Sequence, residues 1–264
     1  MPDNLRILHH ERLDSTSMEV RRLAEGSDDR NFWVRADSQS AGRGRRGREW
    51  VSQQGNLFCT GLFSHDGPMA SAAQLGFVAA IAVAQMCEHY APDIKAQIKW
   101  PNDVKIASGE SALCGAGKDI SAKISGILLE SGERGGKIWV SVGIGVNLTN
   151  APDNLPYVAT HLSAHMDGAG PSAIEALAVL SEKFEILRTA LISEGFDPTR
   201  KAWLARAIGM GQTVTARLGT RTIIGTMAGM ADDGALRVML PDGNDTLIAS
   251  GEVFFNEASH VASD

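Results

Sequence analysis

Apolar residues recur at two spacings along this chain, and the spacings change where the elements should change. Phe32–Ala36 reads as a strand. Leu57–Phe63 reads as another, with Leu57, Cys59, Gly61 and Phe63 on one face. In Ile94–Trp100, Ile94, Ala96, Ile98 and Trp100 alternate with polar residues, as in a half-buried strand, and Pro101-Asn102-Asp103 ends it. Ile124–Glu130 and Lys137–Leu148, joined through Gly135-Gly136, predict an antiparallel hairpin. Helical spacing predicts four helices. The first runs to Glu25, behind the capping signal Asp14-Ser15-Thr16-Ser17 and stopped by Gly26. The others are Ala70–Tyr90, Ser172–Glu194 and Thr199–Ala207. Ala70–Tyr90 is apolar almost all round, as expected of a helix covered on several sides.

From Gly211 the grammar changes to short strands: Thr213–Leu218, Thr222–Met227, Ala235–Leu240 and Thr246–Ala249, with Asp233-Gly234 and Asp242-Gly243 as hairpin turns. The expectation is an α+β chain. A mixed or antiparallel sheet packed with helices fills residues 1–210, and a small SH3-like β-barrel fills residues 211–264.

At 264 residues the chain is long enough for one main domain and an appendage. Hydrophobic residues make up 44% and charged residues 21%, which is ordinary for a globular protein. The run Ala70–Cys87 is short for a membrane span and is interrupted by Gln74, Gly76 and Gln85. The polar stretch Met1–Arg12 is not a signal peptide. Cys59, Cys87 and Cys114 show no paired spacing. A reducing compartment follows, and we expect a cytoplasmic protein without membrane contact.

Against a formal net charge of -6, the run Gly42–Arg48 packs four arginines and three glycines into seven residues. It cannot be core, because unpaired guanidinium groups are not buried, and its glycines disfavour helix and strand. Three readings compete: a solvated basic loop, a nucleic-acid contact, and a loop that closes over a polyphosphate or acyl phosphate. Gly42, Gly44 and Gly47 also fit the dinucleotide fingerprint. Neither flank supplies the strand before it or the helix after it that the fingerprint requires. Gly115–Asp119 fails as a phosphate loop, because the first glycine and the hydroxyl residue are missing. His161 and His165 are four apart with no third ligand nearby, so no metal site is expected. Lys99, Asn102 and Asp103 gather at one strand end, and Ser108–Lys118 reads as an exposed loop.

In combination these stretches resemble biotin–protein ligases. The resemblance rests on Asp14-Ser15-Thr16, Gln39, Gly42–Arg48 with Trp50, Gly55-Asn56-Leu57, Lys99-Trp100-Pro101-Asn102-Asp103, Lys123–Leu128 and Gly143-Ile144-Gly145-Val146-Asn147, in family order. It implies the class II aminoacyl-tRNA synthetase-like biotin/lipoate ligase fold. It also implies a two-step reaction. Biotin and ATP with Mg2+ give biotinyl-5'-AMP and pyrophosphate, and a lysine of the carrier domain of acetyl-CoA carboxylase then takes the biotin.

Carried over by position, Lys123, Arg43 and Arg45 are the catalytic residues. Ser15, Thr16, Gln39, Arg43, Gly44, Arg45, Lys123 and Gly126 contact biotin. Arg45, Arg48, Trp50, Lys99, Asn102, Asp103 and Asn147 contact the nucleotide. Lys123 is chosen over Lys118 because it directly precedes Ile-Ser-Gly-Ile-Leu. Ser17 stands where the family often has asparagine. No helix-turn-helix precedes the first domain, so no DNA binding is expected, while a homodimer is compatible with the family. Lipoate–protein ligase is the nearest alternative, and an Arg-rich nucleic-acid module is the alternative from another class.

Overall fold

The computed structural model describes residues 6–107, 121–219 and 221–255. The loop expected over Ser108–Lys118, with Cys114, lies outside them. The elements are β1 (Arg6–Leu13), α1 (Thr16–Gly26), β2 (Phe32–Gln39), β3 (Leu57–His65), α2 (Gln74–Tyr90), β4 (Ala96–Lys99), β5 (Asp103–Ile106), β6 (Ala122–Arg134), β7 (Lys137–Val146), α3 (Ala173–Glu194), α4 (Phe196–Leu204), β8 (Thr213–Leu218), β9 (Arg221–Met230), β10 (Leu236–Met239), β11 (Asp245–Ile248) and β12 (Glu252–Phe255).

β1 to β7 form one seven-stranded sheet in the order β1-β2-β3-β7-β6-β5-β4. β1 runs parallel to β2, and the other neighbours are antiparallel. Period two explains why the sheet has two different faces. On β7, Val140, Val142, Ile144 and Val146 enter the main core, which α2, α3 and α4 complete. On the other face a smaller cluster, Val20, Ala24, Phe32, Val34, Leu62 and Trp139, seats α1. α1 covers only part of that face, and the rest is free to hold a site.

α2 is the buried helix its all-round apolarity predicts. The stretch Met69–Tyr90 is long and apolar enough to cross a bilayer, yet 67% of its 18-residue apolar window is buried in the fold. α3 starts as expected, with the Ser172 hydroxyl accepting from Glu175 N–H and the Glu175 carboxylate accepting from Ser172 N–H.

β8 to β12 form a five-stranded antiparallel sheet in the order β11-β10-β9-β8-β12, the SH3-like unit. Val214, Ala216, Met227 and Leu236 from this sheet join the same apolar cluster as α2 and α4.

Three strands escape the sequence reading. β1 is a half-exposed edge strand whose polar residues, His9, His10 and Glu11 among them, hide its alternation. β5 begins at Asp103, within the Pro101-Asn102-Asp103 turn read as the end of the strand before it, and β12 follows the last strand read, Thr246–Ala249. The helix expected over Thr199–Ala207 is Phe196–Leu204 instead. Gly195, at φ 79°, starts it, and Pro198 falls in the first turn, where a missing N–H is harmless. The residues after it cover the outer edge of β4: Ile98 N–H donates to the Arg206 carbonyl and Ile208 N–H to the Ile98 carbonyl.

Candidate active site

At one end of the uncovered face, α1, β2 and β3 converge on a set of hydroxyls and one amide. Thr16 donates to Gln39 Oε1 from its N–H at 2.8 Å and from its hydroxyl at 3.2 Å. The Thr60 hydroxyl donates to Thr16 Oγ1 at 2.9 Å. The Gln39 amide donates to Ser52 Oγ at 3.0 Å, and that hydroxyl donates to the Trp50 carbonyl at 3.1 Å. Ser15 occupies the N-cap position of α1, yet its side chain makes no capping bond; its Oγ lies 2.9 Å from Ser17 Oγ. Ser15, Thr16, Ser17 and Thr60 are all buried. The chain therefore spends these hydroxyls on the cavity rather than on the helix end.

Lys123, at the start of β6, lines the same cavity. Strict alternation along β6 would put it with Ser125 and Ile127, away from the cavity. The ladder between β5 and β6 slips instead: Val104 pairs with Ser125 and Lys105 with Lys123, leaving Ile124 as the extra residue. This bulge turns Lys123 onto the cavity face while Ile124 stays in the core. The Lys123 ammonium lies 2.6 Å from Asp103 Oδ1, with the Trp50 ring at 5.7 Å and the Tyr157 ring at 5.2 Å. Gly126 has to be glycine here, because a Cβ would stand 2.9 Å from the Trp50 ring and 3.4 Å from Lys123 Nζ. The turn before β5 is held from both sides: Asn102 Nδ2 donates to the Ile127 carbonyl at 2.9 Å, and Ile127 N–H to the Asn102 carbonyl at 3.0 Å.

The basic run is a narrow hairpin rather than a featureless loop. Trp50 N–H donates to the Gly42 carbonyl at 2.9 Å and Gly44 N–H to the Arg48 carbonyl at 2.7 Å, with Arg43 and Glu49 paired between them. Arg46 takes a left-handed φ of 57° at the tip. The arginines turn to groups within the fold. Arg43 contacts Glu130 at 3.3 Å, Arg45 donates to Asn102 Oδ1 at 3.2 Å, and both Arg46 and Arg48 reach Glu252 of β12. Burial, and then the neighbouring Arg46, lower the pKa of the half-buried Arg45 from its ordinary value. The Lys99 ammonium sits over Phe254 at 5.8 Å and Phe255 at 5.4 Å. The Cys59 thiol, which also borders the cavity, is raised far above its ordinary pKa by burial and is no nucleophile.

Together these groups surround an open cavity of about 370 Å3. Ser15, Thr16, Gln39, Arg43, Gly44, Arg45 and Arg48 line it on the hairpin side. Trp50, Lys99, Asn102, Asp103, Lys123 and Gly126 line it on the strand side. Of the residues predicted from sequence, Asn147 alone is not in this lining. It borders an adjoining recess behind Trp50 and Tyr157. Asn147 Oδ1 and Trp50 Nε1 are both buried there with no partner among the described residues.

The sequence reading missed Thr60, Lys105, Gly143, Gly145, Tyr157 and Glu252. Lys105 was findable, since on a strand it shares a face with Asp103. Glu252 was not, because it arrives from the other sheet. Among the described residues no three His, Cys, Asp or Glu side chains gather as a metal cage. His165 faces Thr160 and His161 faces Ser163.

The family model described as the biotin/lipoate A/B protein ligase family matches residues 11–147, and the biotin protein ligase C terminal domain matches residues 209–256. A biotin–[acetyl-CoA-carboxylase] ligase of Paracoccus denitrificans is 40% identical over 250 residues, covering 92% of this chain and 98% of that protein. The bifunctional ligase/repressor BirA of Bacillus subtilis is 31% identical over 90% of this chain and 70% of its own length. The biotin protein ligase from Aquifex aeolicus in complex with biotin and ATP superposes with a TM-score of 0.75 at 25% identity, over 95% of this chain and 98% of that one.

Proposed function

The chain belongs to the biotin/lipoate A/B protein ligase family, and from that premise we propose how its own residues carry out ATP-dependent biotin ligation. The activity is that of a biotin–[acetyl-CoA-carboxylase] ligase. The acceptor is a lysine of the biotin carboxyl carrier domain of that carboxylase. Residues 1–210 act as the catalytic domain, and residues 211–264 as a C-terminal domain that completes the site through Glu252.

The single observation that carries the assignment of roles is the position of Lys123. It lines one cavity together with the buried hydroxyls and the arginines of the hairpin, its ammonium 2.6 Å from Asp103. Ser15, Thr16 and Gln39 take the polar ring of biotin at the hydroxyls. The same set would favour biotin over lipoate. A buried hydrogen-bonding set discriminates strongly against a ring that offers it no partners.

The biotin carboxylate then lies under Lys123, with Arg43, Gly44 and Arg45 over it. Attack of this carboxylate on the α-phosphate brings two anions together. Lys123, Arg43 and Arg45 offset that repulsion and the charge of the leaving pyrophosphate. The purine goes toward Trp50 and the recess of Asn147, whose free Oδ1 can accept from an exocyclic amine. Arg48, Lys99, Asn102 and Asp103 attend the phosphates. Mg2+ enters with ATP, held mainly by phosphate oxygens and water, with Asp103 as the nearby protein carboxylate.

The test is carrier-domain biotinylation with ATP, alongside biotin-dependent pyrophosphate exchange. Both should proceed with biotin and fail with lipoate. Transfer of lipoate, or salt-sensitive RNA or DNA binding without either activity, would sink the assignment.

A further inference from the structure

Among the described residues, three groups meet the Lys123 ammonium. Asp103 Oδ1 lies at 2.6 Å, the Trp50 ring at 5.7 Å and the Tyr157 ring at 5.2 Å. Asp103 and Trp50 belong to the stretches that carry the family resemblance, and Tyr157 does not. It comes from the segment between β7 and α3, and that segment is docked on Lys123 itself. Lys123 N–H donates to the Val158 carbonyl at 2.8 Å, and Thr160 N–H donates to the Lys123 carbonyl at 2.9 Å, so that Ala159 pairs with Lys123 in parallel. The Asn147 amide ties the same segment down by donating to the Thr160 carbonyl at 3.0 Å. One short segment therefore meets both the backbone of Lys123 and, through Tyr157, the far end of its side chain.

Lys123 needs a partner of this kind. Its stem is long and flexible. Asp103 holds the ammonium but also neutralises it. A ligand carboxylate or phosphate can use that charge only by drawing the ammonium away from Asp103. An aromatic face works differently. It attracts the cation through the ring quadrupole and does not cancel its charge. The ammonium can thus pass from Asp103 to an anion while the rings keep it in place. Trp50 is firmly seated for this. Its indole covers the cross-strand pair Gly126 and Gly145, where a Cβ would stand 2.9 Å and 2.4 Å from the ring. Tyr157 is 41% exposed and borders both the cavity and the adjoining recess.

We propose that Tyr157 is a positioning residue for Lys123 in adenylate formation. Its ring keeps the ammonium at the joining atoms once the incoming anions draw it from Asp103. The proposal rests on the ligase reading above and on the role given there to Lys123. No bond forms or breaks at Tyr157. Its hydroxyl has no part in the step, because the face of the ring supplies the attraction.

The experiment follows biotin-dependent pyrophosphate exchange by the full chain. It compares wild type, Tyr157→Leu and Tyr157→Phe, and repeats both changes in a Lys123→Ala background. Tyr157→Leu should lower kcat by about 3- to 10-fold, the worth of one cation–π contact, with the KM for ATP and for biotin within about twofold of wild type. Tyr157→Phe keeps the ring and should recover most of the loss. In the Lys123→Ala background Tyr157→Leu should cost nothing further, because the ammonium that it positions is gone. A ring that merely props the fold would cost as much in that background as in wild type, and such additivity overturns the proposal. It is equally overturned if Tyr157→Leu raises the KM for ATP and leaves kcat unchanged, as for a ring stacked on the purine. Tyr157→Phe as slow as Tyr157→Leu, or a leucine variant that does not fold, also overturns it. Wild type inactive with biotin and ATP would instead remove the ligase reading itself.

Discussion

The two ends of the cavity are built on opposite principles. At the hydroxyl end, Thr60, Thr16, Gln39, Ser52 and the Trp50 carbonyl form one continuous chain of hydrogen bonds among neutral groups. The links join α1, β2, β3 and the segment after the hairpin, and the set is complete before any ligand arrives. At the other end the arginines are charged and borrow their partners from elsewhere: Glu130 on β6, Glu252 on β12, and the Asn102 amide. A neutral, shape-specific ligand suits the first end, because a fixed set of donors and acceptors costs little to use again. A polyanion suits the second, where it displaces weak, partly exposed ion pairs. The two ends meet at Gly42. A Cβ there would crowd the Trp50 carbonyl and stand 2.7 Å from Ser52 Oγ and 3.2 Å from Gln39 Nε2.

The comparison breaks most severely at Lys123, which serves both ends. Lys123→Ala should cut adenylate formation by about 100-fold or more, as for loss of a preorganised charge donor. Pyrophosphate exchange measures it directly. A larger loss from Lys118→Ala would overturn the choice of lysine.

Gly42→Ala comes next. The Trp50 carbonyl is backbone and cannot step aside, so both ends should lose their alignment, and kcat/KM should fall by roughly 10- to 100-fold. An unaffected variant would show that the ends work independently.

Thr60→Val sharpens the comparison, because it touches the neutral end alone. Removing the donor to Thr16 should raise the KM for biotin by about 3- to 10-fold and leave that for ATP unchanged. Equal changes in both constants would contradict the division.

The smallest effect is expected at Glu252. Its ion pairs with Arg46 and Arg48 are partly exposed, with arginine side chains 42% and 61% accessible. Glu252→Gln should lower the KM for ATP only about twofold at low ionic strength, and the difference should vanish in high salt. An increase in KM would mean that Glu252 supports the closed hairpin rather than competing with the nucleotide.

Much of this molecule was legible in the chain itself, because the relevant physics is local. Period two along Leu57–Phe63 and Lys137–Val146, and the hairpin turn at Gly135-Gly136, need only neighbouring residues to declare themselves. The same holds for the apolar α2, the cap at Ser172 and the strand grammar after Gly211. The residues expected at the site were legible only through the resemblance of several short motifs, taken in order, to a known family; the basic run alone stood out by its chemistry. Of those expected residues, all but Asn147 line the cavity.

Tertiary structure decided the rest. Alternation alone would have turned Lys123 away from the cavity, and the bulge against β5 reverses it, which no inspection of β6 in isolation reveals. Lys105 becomes a site residue only because that same register sets it opposite Lys123. Glu252 reaches the arginines from more than 200 residues away in sequence. Ser15 and Thr16 read as caps by spacing. They became cavity groups because Gln39 and Thr60, on two other elements, drew the hydroxyl network inward. Periodicity records which face of an element is buried, whereas register and docking decide what that face meets.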